Sequence, residues 1–455
     1  MVKQKFLRTI PFSKIFFWDV KRFYQSKISS SYPLVSLNKL IKQRIASVKL
    51  KDFPEKEFGI LGISNKEGIF DAYTKKGKLI KRSYSKKVEI NDLVYNLWAL
   101  HLGAIGWRTE KQKNDFVSPA YVVFECLQGL SSEFLLRILK TNAFKKIIND
   151  NTTGSVRQTF KYDSLENLQI PLPPLKEQNR LVKNYNTKIL LAEQQEQQVK
   201  LLKQEIEYYL FDVLGIDRWE VLEEKQMKIN QTKRGLQFVH YKHFTDWNIR
   251  NIAKYNSNKF SLTSLNESLT LSVFRGKSPK YDKEGKSRIL NQKCNRWNNL
   301  ELEHSKKVND KWYNTIDKTF FTQEGDILIN SLGEGTIGRS TFITKQNEGL
   351  LYDSCIILLR LDQTKVDPKF FCYLLNSKYG QNQIEDIKSG RSTTQTHLGV
   401  TNLKNIMFPL PPMASQNEIA NHISELSMQI QELNKQAKHN REKAIIEFEN
   451  KIFCT

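Results

Sequence analysis

Between Leu175 and Leu214 the chain has no Gly or Pro, and Tyr185, Ile189, Ala192, Val199, Leu202, Ile206, Tyr209 and Val213 recur at three- and four-residue spacing. That period lines one stripe of an α-helix, with Glu196 interrupting it. Gly215 is well placed to stop the helix. A second, cleaner stripe of Ile419, Ile423, Leu426, Ile430, Leu433, Ala437, Ala444 and Phe448 runs on, again without Gly or Pro, to the last residue. Both read as coiled-coil seams. One seam needs another, and two in one chain can supply each other, although homodimerisation is the other use of such a stripe. An antiparallel pairing would give a pseudo-twofold molecule with a globular domain at each end of a rod of about 60 Å, from ~40 residues at ~1.5 Å each.

Upstream of each stripe the period changes. Ala120–Cys126 and Asp326–Asn330 are short, β-branched or aromatic, and bounded by turn formers, so they predict strands. Ser132–Lys140 and Pro368–Asn376 predict short buried helices. Each half is therefore an α+β domain ending in a long helix.

The halves also repeat one another. Leu165-Glu-Asn-Leu-Gln-Ile-Pro-Leu-Pro-Pro-Leu-Lys-Glu-Gln-Asn matches Leu403-Lys-Asn-Ile-Met-Phe-Pro-Leu-Pro-Pro-Met-Ala-Ser-Gln-Asn at an offset of 238. Gly154 with Gly390, Phe134 with Phe370, Asp92–Asn96 with Asp326–Asn330, Ser36-Leu-Asn with Ser264-Leu-Asn, and Trp18 with Trp247 follow in order at slightly smaller offsets. The second proline of each pair suits a first helical turn. The expected divisions are 1–174, a helix over 175–215, a second domain over 216–412 and a helix over 413–455.

Charge adds a partner. The 455 residues hold 71 Lys+Arg against 48 Asp+Glu, a formal +23. Residues 1–180 carry 32 basic and 16 acidic side chains (+16), 181–220 carry 5 and 7 (−2), 221–410 carry 29 and 19 (+10), and 411–455 carry 5 and 6 (−1). The domains are basic and the helices are not, which points to two nucleic-acid-binding heads on a neutral spacer. Heads tens of ångströms apart fit half-sites one or two turns apart on double-stranded DNA. No apolar run is long enough for a membrane span, and the charged start Met1-Val-Lys-Gln-Lys disfavours a signal peptide, so a cytoplasmic protein is expected. Cys126, Cys294, Cys355, Cys372 and Cys454 are scattered, which predicts reduced thiols and neither disulfides nor a zinc site.

The repeated basic domain ending in Leu-x-x-Ile/Leu-x-x-Pro-Leu-Pro-Pro-x-x-x-Gln-Asn, each time followed by a long helix, resembles the specificity subunit of type I restriction-modification systems. The resemblance covers nearly the whole chain. It implies two target-recognition domains, each reading half of a split DNA site, joined by helices that form a coiled coil. It also implies no catalytic residues and no cofactor in this chain. Two modification (methyltransferase) subunits would methylate adenine, and restriction subunits, where present, would cleave; S-adenosylmethionine, ATP and Mg would belong to those partners. Glu177 keeps the acid that precedes the glutamine, whereas Ser415 replaces it in the second copy.

Other chemistry is weaker. Gly333-Glu-Gly335-Thr-Ile-Gly338 has the G-x-G-x-x-G spacing, but a phosphate loop needs a helix to open at its last glycine and the following residues read as a strand, so a tight turn is expected. Ser118-Pro-Ala-Tyr121 lacks the second proline of an amino-methyltransferase motif. Asp282, Glu284 and Lys286 mimic a nuclease triplet but sit in a turn-like context, and His240 and His243 are too few for a metal. No metal site is expected. Stand-alone methyltransferase, nuclease and coiled-coil adaptor are the alternatives in function. For DNA contact, the polar runs after the aligned glycines offer Arg157, Gln158, Thr159, Arg391, Thr394 and Gln395, residue types that pair with guanine, adenine or a thymine methyl. Arg275, Lys277, Lys280, Lys293 and Arg296 read as phosphate contacts, with Lys75, Lys76, Lys78, Lys81 and Arg82 their counterparts in the first copy.

Overall fold

A computed structural model describes residues 28–80, 84–152, 159–216, 257, 259–265, 268–333, 335–388 and 397–453. It divides into two compact units, Met1–Gln195 with Lys435–Thr455, and Glu196–Asn434, so each unit contains part of both long helices. No described helix is long and apolar enough to cross a membrane.

In chain order the first unit carries β1 (Leu34–Ser36), β2 (Ile41–Gln43), β3 (Ser47–Val48), β4 (Glu57–Ser64), β5 (Gly68–Lys76), β6 (Ser85–Lys87), β7 (Leu93–Asn96), β8 (Ile105–Trp107), β9 (Phe116–Val117), β10 (Tyr121–Cys126) and β11 (Gln169–Pro171). Helices α1 (Ser132–Leu139), α2 (Asn142–Asp150), α3 (Tyr162–Glu166) and the first half of α4 (Leu175–Leu214) complete it. Four strands form an antiparallel frame in the order β2-β10-β7-β8. Its central strands are apolar at successive positions because both faces are covered. Leu93, Tyr95, Val122 and Phe124 face the core built with the helices, whereas Val94 and Val123 face a smaller core with Leu61, Ile69 and Val117. That second face is covered by a five-stranded sheet, β3-β6-β9-β4-β5, most of which is inserted between β2 and β7.

The second unit carries β12 (Leu262–Ser264), β13 (Thr270–Arg275), β14 (Arg288–Leu290), β15 (Asn295–Arg296), β16 (Asn299–Leu300), β17 (Lys306–Lys307), β18 (Ile327–Asn330), β19 (Ser340–Phe342), β20 (Leu351–Tyr352), β21 (Ile356–Leu361) and β22 (Met407–Pro409). Its helices are the second half of α4, α5 (Asp310–Tyr313), α6 (Pro368–Asn376), α7 (Lys378–Ile387), α8 (Val400–Leu403) and the first half of α9 (Met413–Ile452), whose remainder belongs to the first unit. The frame recurs as β13-β21-β18-β19. Ile327, Ile329, Ile357 and Leu359 face the helical core, and Leu328, Ile356 and Leu358 face the other way. The insertion differs: a three-stranded sheet, β17-β14-β20, and a separate hairpin, β15-β16. The duplication is thus a constant frame with two unlike inserts. The aligned Ser-Leu pairs close each frame alike, β1 pairing with β11 and β12 with β22, and Leu37 and Leu265 are fully buried.

The long helices run antiparallel within each unit. In the first, Tyr185 packs edge-on against Phe448 at 5.8 Å, Lys188 pairs with Glu447 at 3.1 Å, and Asn440 donates to Gln195 at 2.9 Å, so positions rise on α4 as they fall on α9. In the second, Tyr209 lies 4.2 Å from His422. Every predicted seam residue is buried or half-buried. Near the end of α4 the residues fully buried are Leu210, Phe211 and Leu214 rather than Tyr209 and Val213, because the core of the second unit covers a second face there. Gly215 ends α4 at φ 64°, with Ile216 N–H donating to the Phe211 carbonyl and Gly215 N–H to that of Asp212, a Schellman stop. The proline pairs lie one residue outside the helices: Pro174 and Pro412 accept the first turn's bonds from Gln178 and Gln416.

Candidate nucleic-acid interface

The glutamine of each repeated Pro-Pro-x-x-x-Gln motif is buried. Gln178 Nε2 donates to the carbonyls of Gly129 and Pro173, both at 2.8 Å, and its Oε1 accepts from Ser131 N–H at 2.9 Å. Gln416 does the same with Lys365, Pro411 and Asp367, at 3.0, 2.9 and 2.8 Å. Ser131 and Asp367 are in turn the N-caps of α1 and α6. A primary amide is suited to this place because it can donate twice and accept once in one plane. The motif therefore ties the start of each long helix to the helix layer of its own domain.

A buried aspartate holds each frame at the turn before its central strand. Asp92 accepts from Arg44 at 2.9 Å and from Glu89 N–H at 2.7 Å; burial pushes its pKa up against these contacts. Asp326 accepts both prongs of Arg360 at 2.7 Å and Gln323 N–H at 2.7 Å. Arg44 follows β2 whereas Arg360 lies within β21, so the second partner has no counterpart at the repeat offset.

Arg157, Gln158, Arg391, Thr394 and Gln395 lie outside the described residues, as do Lys81, Arg82, His240 and His243. The residues that follow these two polar runs are described. Thr159 leads into Phe160, whose N–H donates to the Leu97 carbonyl at 2.9 Å, and Leu398 N–H donates to the Ser331 carbonyl at 2.9 Å. These acceptors follow β7 and β18 at matching places. Arg275 Nη2 donates to the Leu398 carbonyl at 2.9 Å.

The other cations differ in how free they are. Lys293 is exposed, as is Lys280. Lys277 Nζ lies 3.8 Å from the Phe320 ring centre. Arg296 is held by Glu301 at 2.8 Å, and that guanidinium draws the Glu301 pKa down. In the first unit Lys76 and Lys78 share Glu55, at 3.2 and 2.7 Å, while Lys75 stands over Tyr73.

The remaining motifs resolve into turns. Gly333, Gly335 and Gly338 all have positive φ, at 94°, 72° and 82°, and lead into β19 rather than a helix, so they form no helix-borne anion site. Ser118–Tyr121 closes a turn through Tyr121 N–H and the Ser118 carbonyl. Asp282 accepts from Glu284 N–H and from Asn309, and Lys286 N–H donates to Asp310, so the acid is occupied by its own loop. Among the described residues the grouping most like a metal site is Glu301, Glu303 and His304, and Arg296 already occupies Glu301.

Comparison with known proteins agrees with the duplicated frame. The family model for the type I restriction modification DNA specificity domain matches residues 32–201 and again 255–441. The chain is 32% identical over 139 residues to a putative type I restriction enzyme MjaX specificity subunit from Methanocaldococcus jannaschii, covering 28% of this chain and 32% of that one. It is 26% identical over 125 residues to the type I restriction enzyme StySPI specificity subunit of Salmonella potsdam, covering 27% of each. These matches span about a third or less of the relatives' length. The crystal structure of a type I restriction-modification S subunit from M. genitalium shares the fold, with a TM-score of 0.51 over 95% of this chain and 99% of that one at 14% identity. With two copies of the domain and more than half its length matched, the chain belongs to the family of type I restriction-modification DNA specificity proteins.

Proposed function

We propose that the chain is the sequence-specific DNA-binding specificity subunit of a type I restriction-modification complex, reading a bipartite site in double-stranded DNA. Residues 1–174 and 216–412 act as target-recognition domains, and 175–215 and 413–455 as the helices that set their spacing. The observation that carries this reading is the pairing of a constant frame with unlike inserts. The frame, its glutamine clamp and its loop foot are the same twice, as suits docking two copies of one partner. The inserts differ, as suits reading two different half-sites. Arg157, Gln158, Thr159, Arg391, Thr394 and Gln395 supply base contacts, with Lys277, Lys293 and Arg296 on phosphates. Arg275 joins them on phosphate beside its bond to the Leu398 carbonyl. The chain is non-catalytic and cytoplasmic and binds no cofactor itself. It positions two methyltransferase subunits, and restriction subunits where the system keeps them; these partners carry S-adenosylmethionine, ATP and Mg.

The test is domain exchange. Replacing residues 1–174 with those of a relative should change one half of the methylated site and leave the other, as mapped by methylation sequencing. A change in both halves would refute the two-head reading, and methylation or cleavage by the purified chain alone would refute the non-catalytic one.

A further inference from the structure

In the first unit β7 ends at Asn96, which opens a tight turn. Its side-chain oxygen accepts from Trp98 N–H at 3.0 Å and its carbonyl from Ala99 N–H at 3.0 Å, the local bonding by which asparagine fixes a turn. Between these, the Leu97 carbonyl accepts from Phe160 N–H at 2.9 Å. Trp98 is thus held from both sides along the chain, yet it is 43% exposed, and Leu102 four residues on is exposed as well.

In the second unit the hairpin β15-β16 turns through Trp297 and Asn298, the latter at a left-handed φ of 57°. The Asn376 amide donates to Asn298 Oδ1 at 2.5 Å and to the Ser340 carbonyl at 2.8 Å, and Asn298 N–H donates to that same carbonyl at 3.0 Å. At the hairpin's base the Asn295 amide donates to the Leu328 carbonyl at 3.0 Å and to Asn330 Oδ1 at 3.1 Å. Asn330 ends β18, and the next residue, Ser331, is the one whose carbonyl accepts from Leu398 N–H. On this bolted tip Trp297 is 46% exposed, with the Arg339 guanidinium 5.8 Å from its ring centre.

We propose that Trp98 and Trp297 are DNA-contact residues, one in each recognition domain, each laying its ring against a base step of its own half-site. The inference rests on the functional reading above and names one source of the specificity. Three observations favour duplex DNA over a protein as the occupant. Each tryptophan is tied to the junction, at Phe160 or Leu398, that follows a polar run expected to contact bases. The charge nearby is positive, with Arg339 beside Trp297 and exposed Lys161 next to Phe160. Finally, the two rings do not correspond: the alignment of Asn96 with Asn330 puts Leu332 in the place of Trp98, and Trp297 stands on an insert hairpin unlike the five-stranded insert sheet of the first unit. A partner docking alike on both repeats would need matching anchors, whereas two unlike half-sites need none. An aromatic ring can stack on any base, and a side chain wedged against a step costs least where the step unstacks easily, as pyrimidine–purine steps do. The tryptophans therefore read deformability rather than base edges.

The test uses the full-length chain assembled with its methyltransferase subunits, and a duplex carrying the site found by methylation sequencing. Binding is measured for wild type, Trp98→Ala, Trp297→Ala and the corresponding Phe variants, on that duplex and on duplexes with single base-step changes in either half. Each Ala variant should bind the intact site about tenfold more weakly and lose its preference among steps in one half only, a different half for each variant. Phe should recover most of the affinity, and binding to an unrelated duplex should stay within twofold. A second measurement needs no variant and decides the matter if an Ala substitution lowers the melting temperature. 2-Aminopurine, placed in turn at each position of both half-sites other than the methylated adenines, should brighten at one step per half when the wild type binds. Affinities within twofold of wild type on every duplex, or a probe that stays dark throughout, would overturn the proposal. So would a single substitution that blurs both halves, or one that weakens association with the methyltransferase subunits at unchanged DNA affinity, which would mark a protein contact. A wild-type complex with no preference for the mapped site over an unrelated duplex would sink the functional reading itself, and this inference with it.

Discussion

Glu207 accepts from the N–H of Lys378, at the opening of α7, through both carboxylate oxygens at 3.1 Å. A helix N-terminus favours the charged form, yet burial outweighs it and raises the pKa from 4.5 to about 6. The sign follows from linkage: with the folded pKa raised, the carboxyl contributes stability below about pH 4.5 that is lost as pH rises through 6. That rise corresponds to about 2 kcal/mol before discounting for partial exposure. Glu207→Gln keeps an oxygen for the Lys378 N–H and removes the charge. It should therefore stabilise the second unit by about 1 kcal/mol at pH 7.5 and by nothing at pH 4.5, as read from the difference in denaturant unfolding between the two proteins across that range. Destabilisation at pH 7.5 would show that the helix interaction outweighs burial. None of this was legible in the sequence. Glu207 and Lys378 are 171 residues apart and no period links them, whereas Gln178 and Gln416 announced themselves by repeating after the prolines, although their role as clamps required the structure.

The elements were more legible, because periodicity is a local signal. The helix boundaries followed from proline and glycine placement, and β10, β18, α1 and α6 from apolar runs of the right length. The insert sheets were missed: β3, β14, β15, β16 and β20 are two or three residues long and carry too little pattern to register, and in the longer β4 the irregularity between Ile60 and Leu61 breaks the alternation. Also hidden was the exchange at the helix ends. Phe448 and Ile452, in the second copy's helix, are buried in the core of the first unit, where Phe448 lies 5.9 Å from Phe134 and 5.8 Å from Tyr185. Leu210 and Leu214 of the first copy's helix, their counterparts at the offset of 238, are buried in the core of the second. Each domain is thus completed by the other repeat's helix. Phe448→Ala should destabilise the first unit by about 3–5 kcal/mol, and hydrogen exchange should show lost protection over 132–150 with the strands of the second unit unchanged. Loss confined to the end of α9 would mean that Phe448 is peripheral to that core.

At the scale of the whole molecule, under the proposed DNA-reading function the +23 charge matters only through the cations left free to meet phosphate. Each phosphate neutralised on a duplex contributes about −0.9 to the slope of log K against log salt. Lys293 is exposed and should contribute close to that amount, so Lys293→Ala should flatten the slope by nearly one unit while weakening binding to all sequences alike. Lys78 is as basic in the sequence, but Glu55 already compensates it at 2.7 Å, and its carboxylate, drawn to a lower pKa by Lys78 and Lys76, stays ionised. Lys78→Ala should change the slope by much less, because releasing Lys78 to a phosphate would leave Glu55 repelling the same backbone. The two substitutions remove the same formal charge from related domains, so equal effects in a salt titration of duplex binding would mean that net charge alone governs affinity. Unequal effects, with Lys293 the larger, would show that pairing on the protein decides which of the basic side chains engage DNA.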